Sequence, residues 1–119
     1  MNLQSEITFF SEMATSDKAR LMASFLSELT TEARSTYGQS GDSVHDGARL
    51  RFTNETCNRV TKLIEQYLAD DKARPADDVV LRMLLSPRAD KVAEKMVHSA
   101  YRRALQNFER YDTTVFMSS

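Results

Sequence analysis

Apolar and polar positions recur along this chain with a helical period, most visibly between Ala48 and Leu68. Set at about 100° per residue, Leu50, Phe52, Cys57, Val60, Leu63, Ile64, Tyr67 and Leu68 share one side with the β-branched Thr53 and Thr56. Asn54, Glu55, Asn58, Arg59, Thr61, Lys62, Glu65 and Gln66 take the other. This predicts a helix with a wide apolar face, meeting more than one neighbour, and a continuous polar face. Asp46 is its expected cap, with Gly47 and Ala48 following.

The same period predicts the remaining elements. Leu3, Ile7, Phe10 and Ala14 set a short amphipathic helix over residues 2–13, with Phe9 off the stripe. A terminal helix this apolar must dock, on its own chain or on a second copy. Thr15 or Ser16 is expected to cap the next helix, with Asp17 in its first turn. Its stripe is Leu21, Met22, Phe25, Leu26, Leu29, Ala33 and Tyr37, and Gly38 is placed to end it. After the polar run 69–75, Pro75 forbids helix at the preceding residue.

DDVVLRMLL, from Asp77, then leaves little polar face and predicts a short helix buried on most sides. Its Val-Val start resembles a strand, but nothing else in the chain could pair with one. Ser86-Pro87 opens the last helix, which runs to about Tyr111 with Val92, Ala93, Met96, Val97, Ala100, Tyr101, Ala104, Leu105 and Phe108 inside. The expected fold is all-α: an antiparallel bundle of about four helices. Residues 1–14 form an N-terminal helical arm, 15–112 the bundle and 113–119 a C-terminal tail carrying Val115, Phe116 and Met117.

Composition agrees with this pattern. A length of 119 residues, 41% hydrophobic and 28% charged, describes one globular domain. Three glycines and two prolines leave few helix breakers. Sixteen basic residues against seventeen acidic give a net charge of −1, so there is no general pull toward nucleic acid or anionic lipid. No apolar run approaches the ~18 residues of a membrane span, and the N-terminus lacks the basic region of a signal peptide. The single cysteine, Cys57, falls on an apolar face and reads as an inert thiol in a reducing compartment. The expected location is cytoplasmic.

Candidate chemistry is sparse. Asp42, His45 and Asp46 share a loop, but hard metals need more oxygen ligands and zinc more His or Cys; turn and cap chemistry is the simpler role. Neither His45 nor His98 has a glutamate three residues before it, which excludes the di-iron bundle pattern. His98, one turn from Glu94 and Arg102, is expected on the outer face of the last helix as a solvated side chain. No metal, cofactor or catalytic set is expected. A pocket lined by Tyr37, Tyr67 or Tyr101 together with a buried charge would reopen an enzymatic reading.

The most specific feature is the polar face of the central helix. Asn54 and Asn58 are four apart, as are Glu55 and Arg59, the favourable order for a helix ion pair. Asparagine is a poor helix former, so two on one line ask for a reason. Either the face is simply solvated, or it is a hydrogen-bonding surface for a protein partner, with Arg34 and Tyr37 beside it. The alternative partner is nucleic acid, on the stripe Lys95, Arg102, Arg103 and Arg110; the interleaved Glu94 and Glu109 argue against it. The arm or the tail is expected to mediate homodimerisation.

Three runs carry a family resemblance: Arg34-x-x-Tyr37; Asp46-x-Ala48-Arg49-Leu50-Arg51-x-x-Asn54-Glu55-x-x-Asn58-Arg59; and Pro75-x-Asp77-Asp78-Val79. In these the chain resembles a group of small bacterial helical proteins without an assigned activity. The group usually has histidine where this chain has Asn58, which weakens any activity tied to that position. The resemblance covers about the middle half of the chain and implies a helical fold and nothing about function.

Overall fold

A computed structural model of the chain describes the backbone of residues 2–36, 43–86 and 91–118, and the side chains of residues 2–35, 47–86 and 91–108. The helical period becomes five helices: α1 (Leu3–Glu12), α2 (Thr15–Thr36), α3 (Ser43–Leu68), α4 (Asp77–Leu85) and α5 (Lys91–Ser118). There is no strand among the described residues. Nor, among them, is any helix long and apolar enough to cross a membrane.

α1 is opened by Asn2, whose Oδ1 accepts the Ser5 N–H at 3.2 Å. The chain then turns extended at Met13, so the break before α2 is real. The Ala14 carbonyl accepts the N–H groups of Asp17 and Lys18, so α2 begins at Thr15. Thr15 and Ser16 therefore lie inside the first turn and do not cap it, against expectation. α1 docks on α4 of its own chain, burying Ile7 and Phe10.

α2 is the axis of the fold and packs on both α3 and α5. Leu21, Met22, Phe25, Leu29 and Ala33 are buried along its stripe, and Leu26 is partly buried. Phe25 and Leu29 lose all exposure; each such side chain contributes roughly 1.5–3 kcal/mol. As α2 advances from Arg20 to Glu32, its partners on α5 fall back from Phe108 through Tyr101 to Ser99, so the two run antiparallel. The inner face of α5 is the expected one, and its backbone stays helical to Ser118, through the stretch set apart as a tail.

α3 departs from expectation at both ends. It starts at Ser43, so Asp46 and Gly47 lie within the helix and Asp46 is no cap. Thr53, Thr56, Val60, Leu63 and Tyr67 are buried, but Leu50 is 50% and Leu68 68% exposed. Leu50 lies on the stripe near where α2 ends, so little covers it; Leu68 lies one residue off the stripe. Asp70 adopts φ 53° and closes α3. Its N–H meets the Tyr67 carbonyl while the Asp71 N–H reaches Gln66, a double carbonyl cap. α4 buries Val80, Leu81, Leu84 and Leu85 but leaves Val79 exposed. Gly38 and Pro87, expected to mark a helix end and start, lie outside the described residues.

Candidate partner-binding face and cleft

Residues 54–59 are helical because the stripe Thr53, Thr56 and Val60 anchors one side of α3 to the core. That anchoring turns Asn54, Glu55, Asn58 and Arg59 to solvent on successive turns. Arg34, in the last turn of α2, is also exposed. Tyr37 lies outside the described residues. The Glu55–Arg59 ion pair expected from their spacing is absent: among the described residues, neither side chain has an ionic partner.

Both instead line a cleft of about 370 Å³ between α3 and the C-terminal end of α4. Phe52, Val60, Met83 and Leu84 supply apolar walls; Glu55, Thr56, Arg59 and Ser86 supply polar ones. Its size falls within the usual range for ligand sites, about 300–1,000 Å³. Periodicity assigned Phe52 and Val60 to the core side of α3, and nothing in the sequence brought Met83 or Leu84 to them.

A second constellation, missed in the sequence, joins four helices and the α3–α4 connection. Asp77 Oδ2 accepts from Lys18 Nζ at 2.7 Å, and its Oδ1 accepts from the Tyr67 hydroxyl at 2.7 Å. The Lys18 side chain is 9% exposed and that of Asp77 22%. Phe10 meets Tyr67 edge-on at 6.0 Å, and the Lys18 ammonium lies 5.6 Å from the Phe10 ring centre. The Arg74 guanidinium stacks 4.5 Å from the Tyr67 ring centre. Burial, then the hydrogen bond and charge of Asp77, pushes the Tyr67 phenol well above its ordinary range against the pull of Arg74. One signal was available: Lys18 stands three, four and seven residues before Leu21, Met22 and Phe25, on their stripe.

This node contains the buried charge beside a tyrosine that would reopen an enzymatic reading. Yet both Asp77 oxygens are engaged, the phenol is locked as a donor, and none of the described clefts reaches Tyr67. It acts as a clamp holding α4 against α2 and α3. The Tyr101 hydroxyl is buried without a hydrogen-bond partner among the described residues, and burial together with the nearby Glu6 carboxylate raises its phenol. Glu6 is itself raised by burial, partly offset by the terminal ammonium.

The basic stripe of α5 is partly spent inside the molecule. Arg103 pairs with Glu32 of α2 at 2.7 Å, and Glu32 also accepts from Ser99 at 3.0 Å. Lys95 and Arg102 are exposed along a shallow groove of about 430 Å³ that also includes Lys91, Glu94 and His98. The Arg110 side chain lies outside the described residues. His98 is not the solvated side chain expected. It is half-buried, with Nε2 2.6 Å from the Leu85 carbonyl, one of the last carbonyls of α4 that the helix itself leaves without a partner. The difference comes from α4 crossing α5 at that turn, which a single-helix pattern does not contain.

Cys57 is half-buried beside Thr30; burial raises its thiol, with the Thr30 hydrogen bond opposing, which disfavours the reactive thiolate. The Asp42, His45 and Asp46 side chains lie outside the described residues. Among the described ones no group of three or more metal-ligating side chains gathers. No family model, curated protein or solved structure matches the chain.

Proposed function

We propose that this is a small helical protein-interaction module, a regulator, adaptor or inhibitor without catalytic activity, whose binding surface is the outward face of α3 and the cleft beside it. One observation carries the reading. Glu55 and Arg59 stand exposed at the mouth of a formed cleft and have no ionic partner among the described residues, although their spacing favours pairing with each other. Asn54 and Asn58 continue the same face with hydrogen-bonding groups that no described residue engages, and Arg34 and Tyr37 belong to it by sequence position. In this reading the scaffold is an antiparallel bundle of four helices, with α1 as an arm folded back upon it. The resemblance to small bacterial helical proteins, a cytoplasmic location and a homodimeric state belong to the same proposal.

The nucleic-acid alternative loses Arg103 to Glu32 and keeps only Lys95 and Arg102 among the described side chains of its stripe, so it does not lead. The test is affinity capture from the native host with the wild-type chain and an Asn58→Ala, Arg59→Ala double variant. Both positions are exposed, so helicity by circular dichroism should be unchanged while captured partners are lost. Identical partner sets would remove this face from consideration.

A further inference from the structure

The corner between α1 and α2 is poorly supported by its own residues. It consists of Met13 and Ala14, both strong helix formers, and residues 1–37 contain no glycine or proline. Met13 nevertheless turns extended, at φ −73° and ψ 151°. The Ala14 carbonyl takes the first N–H groups of α2, from Asp17 and Lys18. Ala14 therefore stands where serine, aspartate or asparagine would cap the helix, and its methyl group caps nothing. Continued as one straight helix, residues 3–36 would also keep their apolar groups on one side. About five turns separate Leu3 from Leu21 and Ile7 from Phe25, so each pair would share an angle. What bends the chain is the docking of α1 on α4, with Ile7 and Phe10 buried and Phe10 edge-on to Tyr67.

From this conflict between local sequence and packing we infer that the corner is a hinge through which two copies of the chain exchange α1. α1 leaves α4, the corner straightens to join α1 and α2 into one helix, and α1 docks on α4 of a second copy while receiving that copy's α1. The occupant is a second copy because the vacated place is shaped to α1: it seats Phe10 against the Tyr67 ring and the Lys18 ammonium, and α1 restores both contacts. The exchange is reciprocal, repeats every α1–α4 contact between chains and closes as a two-fold dimer. The closed and exchanged forms then differ in two terms. Straightening removes two uncapped corners, whereas joining two chains costs freedom that concentration restores. The dilute chain is closed; the concentrated chain exchanges once α1 has been released. This rests on the homodimeric part of the proposed function, which it supplies with an interface, and not on the face of α3.

The full chain is brought to millimolar concentration, held in urea just below its midpoint to release α1, and returned to buffer; a second sample is treated alike at micromolar concentration. Sedimentation should find dimer in the first and monomer in the second. In dimer prepared from equal parts of 13C-labelled and unlabelled chain, isotope-filtered NOEs should join the Phe10 ring of one copy to the Tyr67 ring of the other. Ala14→Pro is the lock. Proline favours an extended residue before it, as Met13 already is, and is barred from a helix interior. Ala14 is exposed, so the substitution disturbs no packing. This variant should keep its helicity and stay monomeric under the same treatment. Ala14→Ser, which caps α2 in the closed form, should weaken the dimer about thirtyfold, a factor of about five for each of its two corners.

The outcomes separate the hinge from the dimer. As much dimer in Ala14→Pro as in the wild type, or an Ala14→Ser dimer as tight as the wild type, would overturn the inference and leave the homodimeric state standing. Phe10–Tyr67 NOEs confined to one copy within the dimer would do the same. No dimer at any concentration would end both.

Discussion

Two buried tyrosines in this molecule have opposite circumstances. The Tyr67 hydroxyl donates to Asp77, whereas the Tyr101 hydroxyl is buried with no hydrogen-bond partner among the described residues. Each ring keeps an edge contact, to Phe10 and Phe25 respectively, that phenylalanine would preserve. Tyr67→Phe should therefore cost about 1 kcal/mol, and Tyr101→Phe should be neutral or stabilising by up to about 1 kcal/mol, because it removes an unsatisfied buried group. Asp77→Ala is the severe change. It leaves the Lys18 charge and the Tyr67 hydroxyl without their partner at once, and should cost about 3 kcal/mol. Urea midpoints of the three variants rank them. The same phenols govern alkaline stability. Both are raised above the ordinary 10.0. In the unfolded chain they ionise near that value, so above it the fold retains more protons than the unfolded state and stability falls as pH rises. Below it both states are protonated and their contribution is fully present. The urea midpoint should decline above pH 10, and a Tyr67→Phe, Tyr101→Phe double variant should flatten that decline.

Among the elements, the start of α3 is where the structure says most that the pattern did not. Asp46-Gly47 has the composition of a cap, yet the backbone there is helical, and a Cβ built on Gly47 would meet nothing within 4 Å. Glycine inside a helix costs about 0.5–1 kcal/mol relative to alanine. Gly47→Ala should therefore raise the unfolding free energy by that amount; no gain would mean that the helix starts at Ala48 after all. The helices themselves were legible because burial against one neighbour imposes a single period, as in the α2 stripe Leu21, Met22, Phe25 and Leu29. Their ends were not, because exposure there depends on where a neighbour stops: Leu50 is on the stripe but lies near the end of α2. The outward line Asn54, Glu55, Asn58 and Arg59 was readable for the same reason as the stripe, since all four sit on one helix. The cleft, the His98–Leu85 contact and the Lys18–Asp77–Tyr67 node were not. Each joins residues on different helices, 59 positions apart for Lys18 and Asp77, and no local pattern encodes that crossing.

For the molecule as a whole, the open question in the sequence was whether the N-terminal arm serves its own chain or a second copy. The fold gives α1 a place in cis: Ile7 and Phe10 are buried against the core, and Phe10 contacts the ring of Tyr67 and the ammonium of Lys18. α1 thus covers the side of the clamp that α2, α3 and α4 leave open. Phe10→Ala removes a fully buried ring from this junction and leaves a cavity beside Lys18. The expected cost is about 3–5 kcal/mol, a large share of the roughly 5–15 kcal/mol that holds an ordinary domain together. Because the loss is internal to one chain, the urea midpoint should fall sharply and by the same amount at every protein concentration, while the sedimenting mass of the folded variant stays that of the wild type. An arm working in trans makes the opposite prediction. Phe10→Ala would then lower the mass, and the stability of both proteins would rise with concentration, since binding a second copy stabilises by mass action. Measuring midpoint and mass together on the full chain separates the two, because only docking in cis lets stability collapse without any change of assembly.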